Sequence, residues 1–385
     1  MSRFLFVVPP LTGHINPAAA VARELISRGH RVAWAGRAET LRPLVGVDAE
    51  VYEAGDPALD AVLARSRDRW LGLRGAGALK FLWEEFLVPL ADASRPGVET
   101  AVDTFRPDVL VADQQAIAGA LVAERRGLTW ATSATTSGEF TDPYAAMPKV
   151  EDWIRERMAK LCRDAGVPES DLRFSGHLVL AFTSAALIGA ADRFPGHYAF
   201  VGPALNARPD RIDFPWPELD QEKRRVLVSL GTVNGDAGTR FFATVAAAAE
   251  PLGIQLIVAA PDGVIPDPPP HVLVRPYLPQ LELLPHVDAV VCHAGHNTVC
   301  EALAHGLPLV VAPIRDDQPV IAGQVVAAGA GVRVRFARSG VDELRAALHT
   351  VLTDSAHRAA ALRVRSSFTA AGGAPAAADR LEKLC

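Results

Sequence analysis

Short, uniformly apolar runs alternate along this chain with longer segments that carry apolar residues at helical spacing. Residues 3–8 (RFLFVV), 31–35, 108–112, 128–132 and 178–182 are runs of the first kind in the N-terminal half, and 225–230, 254–259, 271–275, 289–292, 309–312 and 332–336 in the C-terminal half. Runs this short, without polar alternation, mark strands buried on both faces of a parallel sheet. Between them the pattern predicts helices over 17–28, within 70–90, over 116–124, 151–164, 239–250 and 297–304, and from about residue 341 to the end. Asn16 reads as an N-cap with Pro17 at the first helical position, and Gly29 ends that helix. Residues 11–15 are then a loop, and His14 is expected at the carboxyl end of the first strand.

The alternation breaks once, at 201–217 (VGPALNARPDRIDFPWP), where prolines and mixed charge replace periodic apolar residues. The chain therefore divides into a domain at 1–208, a linker at 209–217, a domain at 218–365 and a final helical stretch at 366–385. The fold class expected is α/β, with two Rossmann-like doubly wound domains facing across a cleft. Sheets of this kind take ligands beyond the carboxyl ends of their strands.

Composition narrows the function without naming it. A chain of 385 residues, 49% hydrophobic and 22% charged, has material for two cores. A net charge of -5 and a pI near 6.1 give no electrostatic footprint for nucleic acid. No run is long enough for a transmembrane helix, and the opening residues carry no secretory cleavage pattern, so a cytoplasmic setting without integral membrane association is expected. The four cysteines, Cys162, Cys292, Cys300 and Cys385, form no CxxC pair, and no Asp-x-Asp triplet occurs, so no metal and no redox motif are expected. The sequence leaves a homodimer open.

The segment 287–318, VDAVVCHAGHNTVCEALAHGLPLVVAPIRDDQ, concentrates the chemistry. A buried strand ends in the turn His293-Ala294-Gly295-His296, a helix follows, and a second buried strand leads to Arg315, Asp316, Asp317 and Gln318. A Gly-bearing turn at a helix start lets an anion approach amides that lack intrahelical partners. Asn297 and Thr298 add donors there, and Glu301 shares their helical face, where a carboxylate suits a ribose diol. Thr298 with Glu301 also spells a capping box, which needs no ligand.

HAGHNTVCEAL, the preceding Leu278-Pro279-Gln280, and Asp317-Gln318, at this spacing, resemble the donor signature of family 1 nucleotide-sugar-dependent glycosyltransferases of the two-Rossmann-domain (GT-B) type. The bacterial antibiotic and macrolide branch is the nearer likeness. The resemblance implies an inverting, metal-independent transfer from a UDP- or dTDP-sugar, bound by the C-terminal domain, to a small apolar natural-product-like acceptor bound by the N-terminal domain. By the same likeness His293, Gly295, Asn297 and Thr298 hold the diphosphate, with His296 as a weaker candidate. Glu301 holds the ribose, and Asp317 and Gln318 the sugar hydroxyls. Ser229, Gly231 and Thr232 meet the nucleotide, and Tyr277, Leu278 and Gln280 lie where the base sits. The final helix is expected to pack back on the N-terminal domain. No cofactor is implied, because the nucleotide sugar is a co-substrate.

His14 follows Gly13 at the tip of the first strand and precedes Pro17, as in the family's N-terminal signature. A histidine can take the acceptor proton near neutral pH, and the resemblance assigns it that role. Asp113, at the end of the strand 108–112, is the matching partner that would orient the ring. Read alone, His14 could bond loop backbone and Asp113 could cap the next helix. Trp70, Phe81, Trp83 and Phe140 are candidates for an apolar acceptor pocket, with core packing as the competing role. Two other readings remain: an epimerase of the same architecture acting on the nucleotide sugar alone, and a non-catalytic nucleotide-sugar-binding relative. A nicotinamide-dependent oxidoreductase is disfavoured, because no GxGxxG opens either half.

Overall fold

The computed structural model describes residues 1–145, 147–189, 191–205, 212–231 and 238–385, and forms two compact units. The first comprises Met1–Thr183, Ala190–Pro209 and Ala371–Cys385; the second comprises Ser184–Gly189 and Asp210–Ala370. The expected linker at 209–217 falls partly outside the described residues.

In the first unit β1 (Arg3–Val7), β2 (Arg31–Gly36), β3 (Glu50–Glu53), β4 (Val109–Asp113), β5 (Trp130–Ala134), β6 (Leu178–Ala181) and β7 (Tyr198–Phe200) form one parallel sheet in the order β3-β2-β1-β4-β5-β6-β7. The central strands are buried along nearly their whole length because helices cover both faces. One face packs Leu5, Val7, Leu110 and Ala112 against Val98, Phe105, Ile117 and Leu121. The other packs Phe4, Phe6 and Val111 against Ile15, Ala18, Val21, Ala22 and Leu25 of the opening helix, and against the chain's last helix, Gly373–Glu382. That last helix buries Ala374, Ala377, Ala378 and Leu381 at a three-to-four-residue spacing. Arg28 and His30 tie down its outer side, at 2.6 Å to Asp379 and 2.9 Å to Glu382 respectively.

The opening helix corrects the expected boundary. It runs Thr12–Ser27, so His14 stands in its first turn and Pro17 lies inside it. Leu11 nucleates the turn, its carbonyl accepting from the amides of His14 and Ile15. Pro17 removes only one donor so near the helix start, and the buried apolar stripe outweighs that loss. The stretch 70–90 likewise resolves into several pieces: Pro57–Gly72, Ala76–Phe81, a π-helical turn Leu82–Leu87, and Val88–Phe105.

In the second unit β8 (Arg225–Ser229), β9 (Gln255–Ala259), β10 (Val272–Arg275), β11 (Ala289–Cys292), β12 (Leu309–Val311) and β13 (Gly331–Arg333) form a second parallel sheet, in the order β10-β9-β8-β11-β12-β13. Leu187, far away in sequence, joins its core. Two independently layered parallel sheets of this kind are Rossmann-like domains.

Candidate active site

Strand order decides which loops meet. In the first unit β1, β4 and β5 are neighbours, with Val7 paired to Ala112 and Asp113 to Ser133. The turn bearing His14, the tip of β4 and the residues after β5 therefore share one end of the sheet. His14 Nδ1 lies 2.9 Å from Asp113 Oδ1. The Asp113 side chain is 0% exposed and that of His14 16%. Thr135 lies between them: its Oγ1 donates to Asp113 Oδ2 at 2.8 Å and stands 2.7 Å from His14 Nδ1. A carboxylate only accepts, so Nδ1 carries the proton and Nε2 the lone pair. In the neutral form of the ring, the outer nitrogen is thus the one able to take a proton.

Asp113 is held from a second side, its Oδ1 accepting from the Gln115 amide at 2.9 Å. The following helix is Ile117–Arg126, so Asp113 tightens the turn before it without being its N-cap. Gln115 Nε2 continues the network to Glu139 Oε1 at 2.9 Å. Burial pushes the Glu139 carboxyl above its ordinary range, while the Arg173 charge and the Gln115 bond work the other way. A narrow apolar recess is lined by Val8 and Pro9 after β1, by Ala116 and Ile117 after β4, and by Leu90 and Ser94.

The expected aromatic pocket is corrected. Trp83, Phe81 and Phe140 are buried. Trp83 belongs to the main core, Phe81 stacks against half-buried Trp70 at 6.2 Å, and Phe140 meets Phe174, Phe194, Tyr198 and Phe200 edge-on. Large rings gain most from full burial, so Phe81, Trp83 and Phe140 fill the interior of the unit while Trp70 borders it.

In the second unit β8, β11 and β12 are neighbours, with Cys292 paired to Ser229 and to Val311. This juxtaposes Ser229 and Gly231, the turn from His293, and the loop carrying Asp317. The His293 ring is sandwiched between two glycines: a Cβ at Gly231 would come 2.7 Å from its Cε1, and one at Gly295 2.4 Å from its Nε2. Ala294 takes a left-handed φ of 65° to turn the chain between them. Burial pushes the His293 ring down to about 4, with Asp317 and the Ser229 backbone offsetting part of the effect. At neutral pH it is uncharged, and it offers a phosphate an N–H donor.

The helix His296–Ala304 begins beside it with Gly295 as N-cap, and its first internal bond runs from the Val299 amide to the Gly295 carbonyl. Thr298 is therefore inside the helix, and the capping box read from sequence does not form. Asn297 and Thr298 are half-buried at the helix start. His296 is corrected as a ligand candidate: its side chain turns inward, with Nε2 3.5 Å from the sulfur of Cys300. Glu301 is buried and accepts a hydrogen bond from Gln280 Nε2, which fixes the carboxylate. The Gln318 carbonyl oxygen accepts from the amides of Ile314 and Arg315, at 2.8 and 3.1 Å, so its NH₂ is the group left to meet a sugar. Asp317 is half-buried as N-cap of the helix Gln318–Ala327. Tyr277 is 74% exposed, which removes core packing as its role, whereas the Leu278 side chain joins the core. Thr232 lies outside the described residues.

Sequence reasoning did not single out Thr135 or Gln115, and it named Arg315 only as part of its loop, where the guanidinium is buried 3.5 Å from Asp316. A threonine at a strand end carries no signal of its own; only the order β1-β4-β5 brings it to His14.

Comparison with known proteins reaches the whole chain. Residues 220–369 match the family described as UDP-glucoronosyl and UDP-glucosyl transferase. The 4'-demethylrebeccamycin synthase of Lentzea aerocolonigenes is 30% identical, over 100% of this chain and 99% of the relative. The demethyllactenocin mycarosyltransferase of Streptomyces fradiae is 28% identical, over 100% of this chain and 87% of the relative. Among solved structures, the glycotransferase of kitacinnamycin superposes with a TM-score of 0.80 at 26% identity, covering 100% and 98% of the two chains. The spinosyn rhamnosyltransferase complexed with thymidine diphosphate superposes at 0.77 and 23% identity, covering 99% and 100%, a likeness of fold alone.

Proposed function

This chain belongs to the UDP-glucoronosyl and UDP-glucosyl transferase family, and from that premise we propose that it moves a sugar from a UDP- or dTDP-linked donor to a hydroxyl of an apolar natural-product-like acceptor, inverting the anomeric carbon. The observation that carries the reading is the His14–Asp113 pair at 2.9 Å, at the carboxyl end of a parallel sheet. His14 Nε2 takes the acceptor hydroxyl proton as the oxygen bonds to the anomeric carbon. The bond from that carbon to the diphosphate breaks, and the diphosphate leaves with the electron pair. One displacement gives one inversion. Asp113 stabilises the imidazolium formed.

The second unit supplies the donor side. His293, Gly295, Asn297 and Thr298 hold the diphosphate at the helix start, where amide dipoles meet the charge that grows on the leaving group. Ser229 and Gly231 line the neighbouring strand end. Glu301, steadied by Gln280, accepts from the ribose diol. Tyr277 offers an open aromatic face for a base, and Asp317 with the Gln318 amide reads sugar hydroxyls. The demethylrebeccamycin synthase and the demethyllactenocin mycarosyltransferase, by their names, support an acceptor of natural-product kind.

The test incubates the protein with UDP-glucose or a dTDP-sugar and a panel of polyphenol, indole and macrolide acceptors, with products read by mass spectrometry and anomeric NMR. A product heavier by one sugar residue, with inverted anomeric configuration, is expected. Retained configuration, or conversion of the donor sugar with no acceptor present, contradicts the reading.

A further inference from the structure

We propose that Thr135 is a positioning residue that completes the base assembly, a ring of three side chains in which one hydroxyl bridges His14 and Asp113. The proposal rests on the reading of His14 as the base. Both of its contacts are short: 2.7 Å from Thr135 Oγ1 to His14 Nδ1, and 2.8 Å to Asp113 Oδ2. A hydroxyl has one proton and two lone pairs. The proton goes to the carboxylate, which can only accept. The lone pairs therefore face Nδ1–H, which divides itself between Thr135 and Asp113 Oδ1.

Three consequences follow. Every oxygen of the buried carboxylate has a donor: Oδ1 takes His14 and the Gln115 amide, and Oδ2 takes Thr135. Asp113 thereby loses the freedom to rotate away from the ring. His14 Nδ1–H, in turn, meets two acceptors on the same side, which fixes the ring plane and keeps the lone pair on Nε2, and both acceptors stabilise the imidazolium that forms during transfer. Finally, Thr135 itself cannot turn, since it is buried and β-branched at the end of β5. Both short contacts of the hydroxyl go to the pair, so it acts on the proton transfer through them and its removal should appear in kcat.

The experiment compares wild type with Thr135→Val, Thr135→Ser, Thr135→Ala and His14→Ala for turnover, acceptor KM, affinity for UDP or TDP by calorimetry, and thermal melting. Valine keeps the shape and removes the hydroxyl, serine restores the hydroxyl, and alanine serves if valine does not fold. Thr135→Val should lose about tenfold in kcat, the loss expected for one hydrogen bond, with acceptor KM and nucleotide affinity unchanged. Thr135→Ser should recover most of the rate. Wild-type kcat in a folded Thr135→Val or Thr135→Ala, or a Thr135→Ser as slow as Thr135→Val, overturns the proposal while an inactive His14→Ala leaves the base assignment standing. Full turnover by His14→Ala overturns the base assignment itself, and this inference with it.

Discussion

Gly231 and Gly295 flank one imidazole, and they exclude a side chain for different reasons. Gly231 has a left-handed φ of 74°, strained for any L side chain. Gly295 has an ordinary φ of -65°, so alanine there meets no backbone strain, only the His293 ring at 2.4 Å. Gly295→Ala is therefore the cleaner probe of the cradle. In the proposed role of His293, displacing it removes a hydrogen bond to a charged phosphate, worth about 1.5–3 kcal/mol, so affinity for UDP or TDP should fall roughly ten- to a hundredfold by calorimetry. Unchanged affinity contradicts the role given to His293.

The same ring sets a pH dependence. Its folded value of about 4 lies below the ordinary 6.5, so the unfolded chain takes up the proton first as pH falls. Its contribution to stability is present above about pH 6.5, is lost as pH falls toward 4, and stays lost below. Wild type should lose stability relative to His293→Gln between pH 7 and pH 5, measured by urea midpoints. A constant difference between the two opposes this account. At this scale a distinctive local string singles out His14, His293 and Glu301, which the structure places beside Asp113, between two glycines and against Gln280 respectively. Thr135 carries no such string, because its neighbours are brought to it by strand order.

Among the elements, the buried strands were the clearest in sequence, since short unbroken apolar runs suit strands covered on both faces. The short edge strands β3 (EVYE) and β7 (YAF) were missed: edges are half-exposed, and nothing in their polarity sets them apart from loops. Pro17 misled the reading of the first helix, because a proline that suits the first helical position also survives deeper when a buried face holds the helix. The helix Val88–Phe105 carries a sharper constraint. A Cβ on Gly97 would stand 2.3 Å from the Glu53 carbonyl of β3. Alanine gains at most about 1 kcal/mol of helix propensity, while forcing atoms into a packed contact costs about 1–3 kcal/mol. The clash should win, and Gly97→Ala should lower the urea midpoint; a raised midpoint would show that helix and strand separate more easily than their packing implies.

Across the whole molecule, two units of parallel sheet with their chemistry at strand ends were legible from alternation and one proline-rich break. Two features of the division were harder to read. Ser184–Gly189 contributes to the second unit from within the sequence of the first, a segment too short to show a pattern of its own. Membership of the last helix in the first unit came from family likeness, because its alanine-rich face looks the same whatever it packs against. No helix among the described residues is long and apolar enough to cross a membrane. The proposed function assigns a proton acceptor to one unit and a diphosphate cradle to the other, and a single variant separates these tasks. His14→Ala, assayed for glycoside formation at saturating donor while the same preparation is titrated with UDP or TDP, should lose about a hundred- to ten-thousandfold in rate and keep wild-type nucleotide affinity. Wild-type turnover without the imidazole would contradict the account.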